Sequence, residues 1–166
     1  MMNVRQVIRG ARLVAVLVAA LAISACAKNE AENAQGNAGA MAVPGSQQDF
    51  LVNVGDRVWF ETDSSELSAK SRETLDKQAQ WLQHYNRYTF TIEGHADERG
   101  TREYNLALGA RRAATVRDYL VSRGIAANRM RTISYGKERP VATCDDISCW
   151  SQNRRAVTVL NSGPGA

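Results

Sequence analysis

The chain has 166 residues, which is long enough for one domain with its own core and some sequence outside it. Most of its formal net charge of +4 comes from Arg5, Arg9 and Arg12, the only charged residues before Cys26; without them 18 basic residues stand against 17 acidic ones. The remainder is nearly neutral, and aromatic residues make up 7% of the whole chain. The sequence thus lacks the basic patch and the stacking pattern of nucleic-acid-binding domains, so no nucleic-acid partner is expected.

Residues 1–25 have the pattern of a secretory signal peptide. A basic stretch over 2–12 precedes an apolar run of about eleven residues over 13–23, whereas roughly 20 are needed to span a bilayer. The run ends in ISAC at 23–26, which resembles the lipobox of bacterial lipoproteins, where the cysteine is acylated and becomes the mature N-terminus. An ordinary signal peptide that is cleaved nearby, with Cys26 incidental, is the alternative.

Residues 26–46 are predicted to be a lipidated cysteine followed by a flexible tether. The segment is rich in Ala, Asn and Gly and has no hydrophobic period, so it has little to bury. About 20 such residues reach on the order of 65–70 Å when fully stretched. Ala27 follows Cys26 where enterobacterial lipoproteins retained in the inner membrane have aspartate. That resemblance points to the outer membrane, with the folded domain at 47–166 in the periplasm.

Hydrophobic periodicity from residue 47 onward predicts the order β-α-β-α-β-β. Strands are expected around Val58 and Phe60, over 88–92, over 130–135 and over 156–160. Ser68 is the expected cap of the first helix, and Gly124 is expected to end the second. The predicted buried stripes are Leu75, Ala79, Leu82 and Tyr85 on the first helix and Leu106, Ala110, Ala113, Val116 and Leu120 on the second. This order predicts a two-layer α/β (α+β) domain with helices packed on a mixed sheet.

The most informative motif begins in the polar loop before the second helix. The chain reads GHADERGT over 94–101 and YNLALGARRA over 104–113, then SYGKE over 134–138 and QNRRAV over 152–157. These four blocks, in this order and spacing, resemble the OmpA-like domain family and, within it, the peptidoglycan-associated lipoproteins. The resemblance covers about residues 55–160, and the lipobox and tether agree with it independently.

This resemblance implies an OmpA-like fold that binds the diaminopimelate of the peptidoglycan stem peptide. By resemblance, Asp97 takes the ammonium of the ligand and Arg112 takes its carboxylate. The residue types suit these roles, because a loop before a helix offers free backbone N–H groups and arginine can grip a carboxylate at two points. The alternatives are a turn role for Asp97 and a solvated helix charge for Arg112. Further candidates are Arg99, Phe60 and Glu61 in the pocket and Arg155 beside it.

Cys144 and Cys149 lie where the chain departs from the family pattern. Two nearby thiols should pair in an oxidising periplasm, and closing so short a loop stabilises a fold by roughly 2 kcal/mol. A reactive pair would favour a CxxC motif in a thioredoxin-like context. The predicted role is therefore a structural disulfide that rigidifies the loop before the last strand.

No metal, cofactor or catalytic site is expected. The cluster from His95 to Glu98 lacks a third ligand at a recognisable spacing, so His95 is interpreted as a loop histidine held by backbone hydrogen bonds. No serine has a nucleophile-elbow pattern, and Asp97 is too close in sequence to Glu98 for the pair to flank a glycosidic bond. A wall-turnover enzyme is therefore the weaker hypothesis.

The resemblance also implies protein partners. The peptidoglycan-associated lipoproteins bind the periplasmic propeller protein TolB through a surface that overlaps the wall site. TolB and the other Tol proteins are thus implied partners, in a system that draws in the outer membrane during cell division. The alternative is an OmpA-like lipoprotein that binds the wall without a Tol partner.

Overall fold

Four strands and four α-helices form the domain, for which the computed structural model describes residues 42–161. The predicted signal peptide, Cys26 and most of the tether lie outside the described residues. The strands are β1 (Arg57–Trp59), β2 (Phe90–His95), β3 (Met130–Gly136) and β4 (Arg155–Leu160). The α-helices are α1 (Gln47–Asp49), α2 (Ala69–His84), α3 (Arg102–Ser122) and α4 (Ile147–Asn153). A π-helical turn (Phe50–Val54) continues α1, and a 3₁₀ turn (Ala127–Arg129) leads into β3.

The strands form one mixed sheet in the order β1-β4-β2-β3. β4 is antiparallel to both of its neighbours, and β2 is parallel to β3, as a connection through a helix such as α3 allows. The predicted fold class, with helices packed on a mixed sheet, is confirmed. The periodicity did not predict α1 or α4. Both are too short to show a helical period, and α4 occupies part of the segment that was expected to be a loop.

The N-terminal end of the domain starts before residue 47. Ser46 caps α1, since its hydroxyl accepts a hydrogen bond from Asp49 N. The carbonyl oxygen of Gly45 accepts hydrogen bonds from the Tyr88 hydroxyl and from Arg87 Nη2, each at 2.8 Å. Two residues assigned above to the tether therefore contact the domain.

The core lies between the helices and one face of the sheet. Leu75, Ala79 and Leu82 of α2 are buried as predicted, and Tyr85 packs against the core while partly exposed. On α3 the predicted stripe is correct in its second half, where Ala113, Val116 and Leu120 are buried. It is wrong at Ala110, which is exposed, and Leu106 is only partly buried. The buried face of the first half contains Leu108, Gly109 and Arg112 instead.

Two glycines bring the first half of α3 against β2. A Cβ atom on Gly94 would lie 1.8 Å from the carbonyl oxygen of Gly109. A Cβ atom on Gly109 would lie 2.4 Å from Ser134 Oγ and 2.8 Å from the carbonyl oxygen of Gly94. Only hydrogen fits at either position, so this contact allows the backbones of α3 and β2 to approach closely.

The helix ends agree with the sequence signals. Ser68 caps α2 by accepting a hydrogen bond from Ser71 N. Gly124 follows α3 with a φ of 88°, and Ile125, which is buried, donates its N–H to the carbonyl oxygen of Leu120. Both predicted caps are confirmed, because capping depends on residues close in sequence.

His95 ends β2 as a buried side chain that is 2% exposed, with its ring 5.6 Å from that of Tyr135. Neither ring nitrogen has a hydrogen-bond partner among residues 42–161, so the expected backbone hydrogen bonds to the ring are not formed. Burial, and after it the charges of Arg155, Arg139 and Arg57, lower the pKa of His95 to about 4. These effects outweigh the carboxylate of Glu93, 3.6 Å from His95 Nε2. The ring is therefore neutral at pH 7.

Substitution of Gly109 by alanine tests the helix–strand contact. We expect Gly109→Ala to lower the free energy of unfolding by about 1–3 kcal/mol, because the added methyl group forces α3 away from β2. Urea denaturation measures the change. Ala110→Ser, at the exposed neighbouring position on the same helix, is the matched control and should change stability little. Equal stability of Gly109→Ala and the wild type would contradict the close contact.

Substitution of His95 by glutamine tests the burial of a neutral ring. Its pKa is lower in the folded state than the unfolded value of 6.5, so the unfolded chain takes up the proton first. Between pH 6.5 and pH 4 the wild type should therefore lose roughly 2–3 kcal/mol of stability relative to His95→Gln. Urea denaturation across this range measures the difference. His84→Gln, which removes an exposed histidine, is the matched control for loss of a histidine side chain.

Candidate functional site

Asp97 lies in the loop between β2 and α3, where the motif places it, and is 7% exposed. The loop is held at several points. Ala96 N donates to the carbonyl oxygen of Gly136 at 2.8 Å, and Lys137 Nζ donates to the carbonyl oxygens of Glu98 and Gly100 at 3.0 and 2.7 Å. These bonds fix the backbone on both sides of the acid, so the carboxylate has a defined position before any ligand arrives.

Two arginines surround the carboxylate of Asp97. Its Oδ1 accepts hydrogen bonds from Arg99 N at 3.2 Å and Arg99 Nε at 3.1 Å, and its Oδ2 accepts one from Arg99 Nη2 at 2.7 Å. Arg154 Nη1 lies 3.5 Å from the same Oδ2. Burial by itself would raise the pKa of Asp97, but the bonds from Arg99 and the charge of Arg154 outweigh it, and the pKa lies below its usual value. The acid is therefore ionised at neutral pH.

A pocket of about 300 Å³ opens beside this carboxylate. It contains the two predicted residues Asp97 and Arg99, and Asp63, whose carboxylate accepts a hydrogen bond from the Tyr104 hydroxyl. The remaining lining residues are Thr62, Gly100, Tyr104, Asn105 and Leu108. Carboxylates and a guanidinium thus line one small pocket, which suits a ligand that carries both signs of charge.

Arg112 does not line this pocket and is fully buried, with 0% of its surface exposed. Its guanidinium donates to three backbone carbonyl oxygens, from Nε to Ser64 at 2.8 Å, from Nη1 to His95 at 2.8 Å and from Nη2 to Glu61 at 3.1 Å. The alternative of a solvated helix charge is therefore wrong. Burial lowers the pKa of Arg112 to about 10, so it stays charged at neutral pH. It joins the 61–64 segment to the end of β2, and a direct bond to a ligand stays a prediction.

Phe60 and Glu61 contact Arg112 and do not line the Asp97 pocket. The Phe60 ring is 5.2 Å from Arg112 Cζ, and Glu61 contributes its carbonyl oxygen. Both residues line a larger neighbouring pocket of about 540 Å³ that also contains Arg154. Phe60 and Glu61 therefore lie near the Asp97 site because they adjoin Arg112 and Arg154.

The structure brings Arg154, and not the predicted Arg155, to Asp97. Arg155 donates instead to the carbonyl oxygens of Asn153 and Arg139, at 3.4 and 3.2 Å. Neighbouring residues at the start of a strand point to opposite faces, so one step in sequence separates the two guanidinium groups. The QNRRAV block pointed to this pair, but choosing between its members required the orientation of β4.

Trp150 is a site neighbour that the sequence did not predict. The predicted Cys144–Cys149 disulfide is present, and Trp150 follows it on α4. Arg99 Cζ lies 4.2 Å from the centroid of the Trp150 ring, and the indole N–H donates to the Glu98 carboxylate. The disulfide-closed segment therefore contacts the loop that carries Asp97.

Within residues 42–161, no three side chains of His, Cys, Asp or Glu come together as potential metal ligands. Of the helices in that range, none is both long enough and apolar enough to cross a membrane.

Comparison with known proteins gives consistent matches. The model of the OmpA family matches residues 59–155. The chain is 70% identical over 149 residues to the peptidoglycan-associated lipoprotein of Rhizobium meliloti (strain 1021), covering 87% of this chain and 84% of that protein. It is 64% identical over 151 residues to the protein of that name from Brucella abortus biovar 1 (strain 9-941), covering 87% and 89%.

Solved structures agree with this fold. The crystal structure of the peptidoglycan-associated lipoprotein from Burkholderia pseudomallei is 42% identical with a TM-score of 0.62, covering 64% of this chain and 90% of that one. The C-terminal domain of Helicobacter pylori MotB is 22% identical with a TM-score of 0.61, covering 66% and 86%, and shows the fold alone. Because the family model covers more than half of its residues and relatives match most of its length, the chain belongs to the OmpA family and, within it, to the peptidoglycan-associated lipoproteins.

Proposed function

We propose that the domain binds peptidoglycan non-covalently through the diaminopimelate of the stem peptide. The observation that carries this proposal is the ionised, nearly buried carboxylate of Asp97, held between Arg99 and Arg154 at the edge of a small pocket. The side-chain end of diaminopimelate carries an ammonium and a carboxylate on one carbon. Recognition of both requires opposite charges a few ångströms apart, which this cluster supplies.

Asp97 is the proposed partner of the ligand ammonium. Both of its oxygens are bonded to Arg99, so an ammonium that binds Asp97 displaces the guanidinium. Arg99 then becomes available to the ligand carboxylate, and no charge is left unpaired. Arg154 Nη1 has no hydrogen bond within the described domain, and it is a second donor at this point.

Arg112 supports the site without lining its pocket. Three of the five N–H hydrogens of a guanidinium are used by the carbonyl oxygens that Arg112 binds. We propose that it positions the 61–64 segment and the end of β2, and that its two remaining hydrogens reach the ligand carboxylate if the 61–64 segment opens. Direct binding of the ligand by Arg112, which the family resemblance implies, thus requires the 61–64 segment to move. The positioning role requires no such movement.

We further propose that the chain is anchored in the outer membrane and links it to the wall. The ISAC sequence at 23–26 and the tether after it support this, as do the names of the relatives, which are lipoproteins. By the same family membership we propose that it acts with TolB and the other Tol proteins. Co-purification with TolB tests this part, and wall binding without TolB would leave the alternative of an OmpA-like lipoprotein outside the Tol system.

A wall-turnover enzyme is the weaker candidate. A general acid for glycosidic cleavage needs a raised pKa, whereas the pKa of Asp97 is lowered by its arginine partners. A peptidoglycan zymogram should accordingly show no clearing by this protein.

Co-sedimentation with diaminopimelate-type peptidoglycan tests the site. We expect Asp97→Asn to weaken binding roughly 10-fold or more, because a hydrogen bond to a charged group contributes about 1.5–3 kcal/mol. Asp118→Asn, at an exposed acid on α3, is the matched control and should pellet with the wall as the wild type does. Circular dichroism shows whether both variants are folded. If folded Asp97→Asn pellets to the same extent as the wild type, the wall-binding surface lies elsewhere.

Replacement of Cys26 tests the anchor. We expect Cys26→Ala to abolish palmitate labelling and to move the protein from the outer-membrane fraction to the periplasmic fraction, because stable anchoring requires several acyl chains. Cell fractionation with immunoblotting measures the distribution. Cys144→Ala leaves Cys26 intact and should keep its label. Unchanged labelling of Cys26→Ala would show that the lipobox assignment is wrong.

A further inference from the structure

We propose that Trp150 is a positioning residue that determines ligand specificity: it holds Arg99 beside Asp97, so that the site prefers stem peptides with diaminopimelate over those with lysine. The Cys144–Cys149 disulfide fixes Trp150 in this place. The inference rests on the proposed function and concerns how the same site distinguishes two ligands. Both side chains end in an ammonium, and only diaminopimelate has a carboxylate on the same carbon.

The Arg99 side chain contacts both Asp97 and Trp150. Its guanidinium binds Asp97 through Nε and Nη2, and it lies over the Trp150 ring at 4.2 Å. A guanidinium stacked on an aromatic ring keeps its N–H groups free in its own plane. One group can therefore bind a carboxylate at its edge while the ring supports its face.

A bound ligand changes the partners of Arg99. Once an ammonium takes the Asp97 carboxylate, Arg99 loses that partner. Its side chain is 41% exposed, so an unsupported guanidinium would be free to turn into solvent. Trp150 is then the contact that keeps it at the pocket, next to the position of a carboxylate on the carbon that bears the ammonium.

The backbone at Glu98 and Arg99 is held by contacts that do not involve Trp150. Asn105 Nδ2 donates to the carbonyl oxygen of Arg99 at 2.7 Å. Lys137 Nζ donates to the carbonyl oxygens of Glu98 and Gly100, at 3.0 and 2.7 Å, and neither bond involves Trp150. Since the main chain of the loop has its own anchors, loss of the Trp150 ring releases the Arg99 side chain while Asp97 stays in place.

Trp150 lies on helix α4, whose position depends on contacts outside the helix. Helix α4 has seven residues, too few to be stable without other contacts. Cys149, which precedes Trp150 and is 9% exposed, is tied to Cys144. At the far end, Asn153 accepts hydrogen bonds from Val141 N and Ala142 N, at 2.8 and 3.3 Å. The segment is thus closed at both ends, which holds the Trp150 ring against Arg99.

The experiment compares two soluble stem tripeptides that differ in the third residue, meso-diaminopimelate or L-lysine. Isothermal titration calorimetry on the full-length chain in detergent measures both dissociation constants. We expect the wild type to prefer the diaminopimelate peptide by roughly 10-fold or more, as a charge-assisted pair predicts. Trp150→Leu should weaken binding of the diaminopimelate peptide several-fold and leave binding of the lysine peptide unchanged. The ratio of the two affinities, diaminopimelate over lysine, should therefore fall.

Three further variants separate positioning from folding. Trp150→Phe keeps an aromatic face under Arg99 and should retain most of the ratio. The double variant Cys144→Ser/Cys149→Ser should lower the ratio in the same direction and by less. Trp59→Leu removes an exposed tryptophan of β1 and should leave the ratio unchanged.

Two outcomes would overturn the inference. If Trp150→Leu weakens binding of both peptides by the same factor, Trp150 supports the fold and not the choice of ligand. If it changes neither, Arg99 does not depend on it. In both cases the wild type still binds the diaminopimelate peptide and the proposed function stands. Failure of the wild type to bind either peptide would overturn the proposed function, and this inference with it.

Discussion

The Asp97 loop, the proposed wall site, depends on one buried cation. The guanidinium of Arg112 lies entirely inside the domain, where a charge without polar partners would be very costly. Three backbone carbonyl oxygens satisfy it, two from the segment after β1 and one from the last residue of β2. A planar fork with several donors is required to reach all three. The position of Asp97, two residues beyond His95, follows from this arrangement together with the glycine contact of α3.

The charges around Asp97 form a preorganised cluster. Arg99 and Arg154 keep the carboxylate ionised although the residue is nearly buried. In the proposed mode of binding the ligand ammonium replaces Arg99 at Asp97, since Arg99 is partly exposed and Asp97 lines the pocket. A zwitterionic ligand can replace an internal pair by two pairs of its own, which avoids leaving a buried charge without a partner.

The disulfide-closed segment brings Trp150 to Arg99, within a fold that the chain shares with other OmpA-family domains. Closure between Cys144 and Cys149 allows a helix of seven residues, and that helix carries an indole to Arg99. The MotB domain, at 22% identity, has the same fold. In this chain the α4 segment supplies contacts beside the Asp97 loop, through the Trp150 ring and its indole N–H.

Sequence alone determined what depends on neighbouring residues. The strands, the two long helices, the caps at Ser68 and Gly124 and the order of the family blocks follow from short-range periodicity and motif spacing. Only the tertiary structure decided that Ala110 is exposed, that Arg112 is buried, that Arg154 and not Arg155 meets Asp97, and that Trp150 meets Arg99. Each of these depends on the orientation of a helix or strand, or on a contact between residues about fifty positions apart. No local pattern in the chain encodes such contacts, because they are set by how the helices pack on the sheet.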